Sequence, residues 1–162
     1  SRSHSLYASL GFDLREPVAL MQAAPANVAA NATVRPASTA DVAAMNELCL
    51  AKYKVSRGNE IENAIKYGFS PLVAERGGRI TGYMIPGLLG HGAAETVDDA
   101  AALAAEVGRL PGPRSRFFCP LREAGLYRRL LADRHRVVKV MNLMTLGPYE
   151  HPEDVWMPSV YY

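Results

Sequence analysis

Residues 3–17 read SHSLYASLGFDLREP, and the way this stretch divides decides the fold. Leu6, Tyr7 and Leu10 recur at helical spacing and stop at Gly11; Phe12 and Leu14 follow at the spacing of a strand. This is the form of the last helix and strand of a fold, standing where a chain usually has its first. A second copy of the form lies further on: SLYASLGFDLREPVALM (5–21) is echoed by GLYRRLLADRHRVVKVMNLM (125–144). The strand at 12–21 carries Phe12, Leu14, Val18, Leu20 and Met21 on both of its sides, so it is expected to pair with a strand of residues 33–147 or with another chain.

Between the two copies the pattern is regular. AAPANVAANA (23–32) is small, weakly apolar and aperiodic, the composition of a linker. TVRPAS (33–38) reads as a short strand, and Ser38 with Asp41 forms a capping-box signal for a helix. That helix buries Val42, Met45, Leu48, Cys49 and Tyr53, and a second, with Ile61, Ala64 and Ile65 inward, stops at Gly68. SPLVAERGGRITGYMIPG (70–87) is a hairpin about Gly77-Gly78, and LLGHGAAE (88–95) is read as a further strand. A helix at 96–110, a strand at 115–120, a helix at 122–133 and a long strand or strand pair at 136–147 complete the order. The tail PYEHPEDVWMPSVYY (148–162), with three prolines and four aromatic residues, is expected to be an extended arm that docks by its rings.

A chain of 162 residues, 49% of them hydrophobic, is large enough for one domain with a full core. Its net charge of +2 points to neither nucleic acid nor membrane. A basic cluster from Arg109 to Lys139 holds nine Lys/Arg against Glu123 and Asp133. It lacks the interleaved aromatics of a single-strand platform, and Phe117 and Phe118 sit in an apolar strand run as core residues do. A solvated surface and an anion-holding surface both remain open for it; nucleic acid is the least favoured partner. Cys49 and Cys119 lack a partnering spacing, which fits a reducing compartment, and a cytoplasmic location is expected. No apolar run approaches the roughly 18 residues that span a bilayer. The four histidines are scattered, so no metal site is expected.

The order β-α-α-β-β-β-α-β-α-β from Thr33, with LYASLGF (6–12), resembles the GNAT acyltransferase superfamily. ERGGRITGYMIPG, LGHGAAET and MNLMTLG are similar to the C-terminal domain of bacterial two-domain GNAT proteins. The resemblance implies an α/β (α+β) fold with a mixed, mostly antiparallel central sheet flanked by helices. It also implies four segments: 1–22 as the remnant of a preceding GNAT domain, 23–32 as linker, 33–147 as a GNAT-like domain and 148–162 as the arm. The implied activity is transfer of an acetyl group from acetyl-CoA, as co-substrate, to a small-molecule or peptide amine. The alternative is a non-catalytic GNAT-like module that shapes the acceptor site or mediates dimerisation; a homodimer is left open.

The same resemblance supplies candidate site residues. GNAT chemistry uses a tyrosine of the fourth helix to protonate the departing thiolate; Tyr7 matches it for the first domain and Tyr127 for the second. Tyr127 also lies with Ala124, Leu130 and Leu131 on one apolar helical face, as a core tyrosine would. His91 and Glu95 are the candidate proton acceptors beside the reacting amine, with the ordinary alternative of a polar-turn histidine and a helix-capping glutamate. Leu89, Gly90 and Gly92, with Arg128 and Arg129, are the candidate holders of acetyl-CoA. Against them, the usual Gly-rich pyrophosphate loop is missing, and Glu95, Asp98 and Asp99 stand at the helix start instead. A carboxylate and a phosphate about 4 Å apart repel by about 4 kcal/mol at an effective dielectric of ~20. The second domain is therefore expected to bind acetyl-CoA weakly, differently or not at all.

Overall fold

Successive residues of almost every strand fall into two different cores. Ala19 and Met21 pack with Ala74, Met84, Ala94, Phe117, Val155 and Met157, whereas Val18 and Leu20 pack with Val73, Tyr83, Ala93, Phe118 and Trp156. This is the period-two alternation of a sheet buried on both faces. The computed structural model describes residues 2–26, 32–153 and 155–160. Within them, α1 (Arg2–Ser9) leads into β1 (Asp13–Gln22), and β2 (Thr33–Pro36) precedes α2 (Val42–Tyr53) and α3 (Gly58–Lys66). The hairpin β3 (Leu72–Arg76) and β4 (Arg79–Met84) is followed by β5 (Gly92–Ala94) and α4 (Val97–Val107). Then come β6 (Arg116–Pro120), α5 (Ala124–Ala132), β7 (Arg136–Thr145) and β8 (Val155–Met157).

The strands form two antiparallel sheets, β2-β3-β4-β5-β8 and β6-β1-β7. Leu103, Val107, Leu126 and Leu130 bring α4 and α5 onto one face; Met45, Leu48, Ile61 and Ala64 bring α2 and α3 onto the other. The architecture is the expected mixed, mostly antiparallel α/β fold flanked by helices. No helix among the described residues is long and apolar enough to cross a membrane.

The hairpin turns where Gly77 and Gly78 both take positive φ, 61° and 75°, the geometry that its two-residue loop demands. Ser38 N–H donates to Asp41 Oδ2 at 2.7 Å, and the Arg35 guanidinium adds two bonds to the same carboxylate at 2.8 and 2.9 Å. These bonds hold the Asp41 carboxyl well below the usual carboxylate range.

The strand expected at 88–95 is shorter. Only Gly92–Ala94 is strand, because residues 85–91 fold back on themselves: Ile85 N–H donates to the His91 carbonyl at 2.9 Å and Gly90 N–H to the Gly87 carbonyl at 3.1 Å. A Cβ on Gly90 would stand 1.9 Å from the Ile85 carbonyl oxygen. In the expected linker, Ala23 is buried and Ala24 N–H donates to His135 Nδ1 at 2.9 Å; residues 27–31 lie outside the described residues. The tail differs from a simple arm. Residues 155–157 form a strand in the larger sheet, and Tyr149 donates to Glu16 Oε1 at 3.1 Å; Tyr161 and Tyr162 lie outside the described residues.

Candidate active site

Strand β5 is three residues long and has no free edge. Gly92, Ala93 and Ala94 pair with Met84, Tyr83 and Gly82 on one side and with Met157, Trp156 and Val155 on the other. β8 also lies against β6, so it occupies the seam between the two sheets. Trp156 is fully buried there, edge-on to Tyr53 with ring centroids 5.5 Å apart. The Tyr53 hydroxyl lies 2.9 Å from the Gly92 carbonyl oxygen and 2.7 Å from that of Met157, bracing the two strands. A Cβ on Gly92 would meet Met157 Cε and the Tyr83 carbonyl oxygen, each at 2.7 Å. The chain's own packing accounts for glycine at 90 and 92. Leu89, the remaining backbone candidate, is 59% exposed.

The three carboxylates at the start of α4 each face an arginine. Glu95 is bound by both terminal nitrogens of Arg79, one of them at 2.8 Å, and lies 3.6 Å from Arg76. The Arg79 guanidinium holds the Glu95 carboxyl below its ordinary range, so it is an ionised, engaged group rather than a waiting base. Asp99 is buried, 3.3 Å from Arg76, and exchanges bonds with Thr96, the residue that caps α4. Asp98 is bound by Arg129, which also donates to Asp133 at 2.8 Å. Arg129 is thereby engaged within the protein, and Arg128 is exposed on α5. The sequence reading did not single out Arg76 and Arg79. They flank the Gly77-Gly78 turn, and Glu95 N–H bonds to Thr81 of the next strand, so their signal was a basic pair at the mouth of a hairpin.

His91 sits in the core, 2% exposed, with Nδ1 2.8 Å from the Tyr83 hydroxyl and Nε2 3.7 Å from Glu60. Burial, with the Arg57 charge, pulls its pKa down to about 3. The imidazole is neutral near pH 7 and shielded from solvent. Tyr127 packs half-buried against the core formed by α4, α5 and the sheets. The structure therefore does not gather Tyr127, Glu95 and His91 at one accessible point. Among the described residues no group of three or more His, Cys, Asp or Glu lies together as metal ligands would.

Tyr7 has different surroundings. It is 47% exposed on α1, edge-on to Phe12 at 5.3 Å, and it lines a cavity of about 670 Å3. β7 over residues 139–144, the segment 158–160 that follows β8, Val18 and Phe118 line it as well. A tyrosine of the first structural copy thus lines one cavity together with a strand of the second.

No family model matches the chain, and no curated protein matches it in sequence. Among solved structures, it matches a putative acetyltransferase from Pyrococcus horikoshii with a TM-score of 0.77 over 96% of this chain, at 14% identity. The chain spans 54% of that protein's length. At this identity the likeness is one of fold.

Proposed function

We propose that this chain is the C-terminal half of a two-domain GNAT-type N-acetyltransferase and that its 33–147 unit is non-catalytic. Acetyl-CoA is used by the preceding domain, whose last helix and strand are α1 and β1. One observation carries the assignment of roles: β8 occupies the open edge of β5, so no backbone N–H of that strand is left to receive a thioester carbonyl or an extended acyl carrier. Two further features point the same way. The Gly90 and Gly92 cradle is filled by Ile85, Tyr83 and Met157, and the start of α4 is closed by arginine–carboxylate pairs. The residues at β5 and α4 do not fit acetyl-CoA.

The reaction assigned to the whole protein is attack of a neutral amine nitrogen on the thioester carbonyl. A C–N bond forms as the C–S bond breaks; the nitrogen loses one proton and the thiolate sulfur gains one. Tyr7, exposed to the cavity, is the candidate donor of the second proton. The test is calorimetric titration of acetyl-CoA into this chain with a thiol-release assay. The expected result is an affinity in the high micromolar range or weaker and no thiol release, unchanged by Tyr127→Phe. Low-micromolar binding with thiol release abolished by Tyr127→Phe would overturn the reading.

A further inference from the structure

We propose that the cavity between α1, β7 and residues 158–160 is the acceptor subsite of the transfer reaction and that its acceptor is an apolar amino acid with a free carboxylate. This rests on the reading that Tyr7 belongs to the transfer site. The cavity, about 670 Å3, lies within the ordinary range of small-molecule sites and exceeds the size of a single amino acid. Its chemistry is lopsided. The lining joins apolar side chains, Tyr7, Phe12, Val18, Phe118 and Met141 among them, to polar ones such as Ser3 and Ser159, and among the described residues lining it there is no Asp or Glu. Lys139 is the cation that lines it, with the His4 imidazole and the Asn142 amide as further polar groups.

An acceptor that is a bare cationic amine would find no counter-charge here and would meet Lys139. One that carries a carboxylate finds an ammonium partner, and the apolar walls take its side chain. Strand geometry puts the two features on one face. Lys139 is two residues from Met141 and pairs with Leu20, as Met141 pairs with Val18. The Lys139 ammonium and the apolar floor are therefore neighbours along β7. With the carboxylate at Lys139 and the side chain over Val18 and Phe118, the α-amine would be presented toward Tyr7, which lines the same cavity. β7 and the segment after β8 would then set acceptor specificity for a transfer whose thioester is held by the preceding domain.

The six methionines provide the probe, since Met141 and Met144 line the cavity and Met21, Met45 and Met84 are buried in the cores. The chain is labelled with 13C-methyl methionine and titrated with phenylalanine, and separately with phenethylamine, which lacks the carboxylate. Saturable shifts at Met141 and Met144 are expected with phenylalanine. Phenethylamine is expected to bind at least about tenfold more weakly, and Lys139→Ala to weaken phenylalanine by a similar factor. Unmoved Met21, Met45 and Met84 signals check that the variant is folded. Absence of any saturable shift, or equal binding of phenethylamine, would overturn the proposal. Acetyl-CoA is left out of the titration, so its failure is distinguishable from a failure of the acetyl-transfer reading, which the thiol-release assay reports.

Discussion

Single residues decide whether the seam stays closed. Gly92 has Met157 Cε and the Tyr83 carbonyl oxygen where a Cβ would go, and one of those neighbours is backbone that cannot turn aside. Gly92→Ala is expected to cost about 1–3 kcal/mol by overpacking, read from denaturant unfolding. Tyr53→Phe removes only the hydroxyl that braces Gly92 and Met157, and should cost about 1–2 kcal/mol. His91 makes stability depend on pH. In the unfolded chain it titrates near its ordinary value of 6.5, but folded it titrates at about 3. Between these values the unfolded state holds a proton that the folded state does not. Its contribution is therefore present above pH 6.5 and is lost as pH falls toward 3, at about 1.4 kcal/mol per pH unit. His91→Gln is expected to flatten the pH dependence of unfolding across that window relative to the parent chain. His135, also lowered by burial, acts with the same sign, so the difference between variant and parent is the quantity to measure.

Among the elements, β8 is short but deeply placed. It adds three residues to a sheet, yet Val155, Trp156 and Met157 are all buried and contribute to both cores. Trp156→Ala is expected to cost about 3–5 kcal/mol, and truncation after residue 147 at least as much; an unchanged melting midpoint would mean that the strand does not hold the seam. The helices and the hairpin were legible in the sequence because their signals are local: the Gly77-Gly78 turn, Ser38 before α2, and the stripe from Met45 to Tyr53. β8 was legible only as an arm with aromatic anchors. Nothing local in DVWMP specifies pairing with a strand more than sixty positions away, and in the partner segment LLGHGAAE only Gly92–Ala94 is strand. The carboxylates Glu95, Asp98 and Asp99 were visible, but their partners Arg76 and Arg79 lie across a hairpin and Arg129 on another helix. A reading along the chain met the acids as bare charge, whereas the fold makes them three closed pairs.

The whole molecule is organised around the strand that the sequence divided off as a remnant. β1 lies between β6 and β7, with Val18–Gln22 paired on both edges, so this half of the strand is structurally central to the unit it precedes. The requirement that 12–21 find a strand partner was readable from its two-sided apolar pattern; that it would take the middle position was not, because pairing order is a property of the sheet. Val18, Leu20 and Met21 are buried, each contributing about 1.5–3 kcal/mol, and their removal would uncover Phe117 and Phe118 on β6 and the inner edge of β7. That sum is comparable with the 5–15 kcal/mol net stability of a typical domain. A chain starting at residue 23 is therefore expected to lose its cooperative melting transition and its slowly exchanging amides in β6. In the intact chain the slowest amides should lie in 18–22, protected by ladders on both sides, while those on the outer edge of β7 exchange quickly. Circular dichroism melting of the 23–162 truncation measures the first effect, and amide exchange of the intact chain the second. A truncated chain that melts cooperatively within a few degrees of the parent would mean that 33–160 folds without β1, and that the strand is an accessory rather than the centre of the sheet.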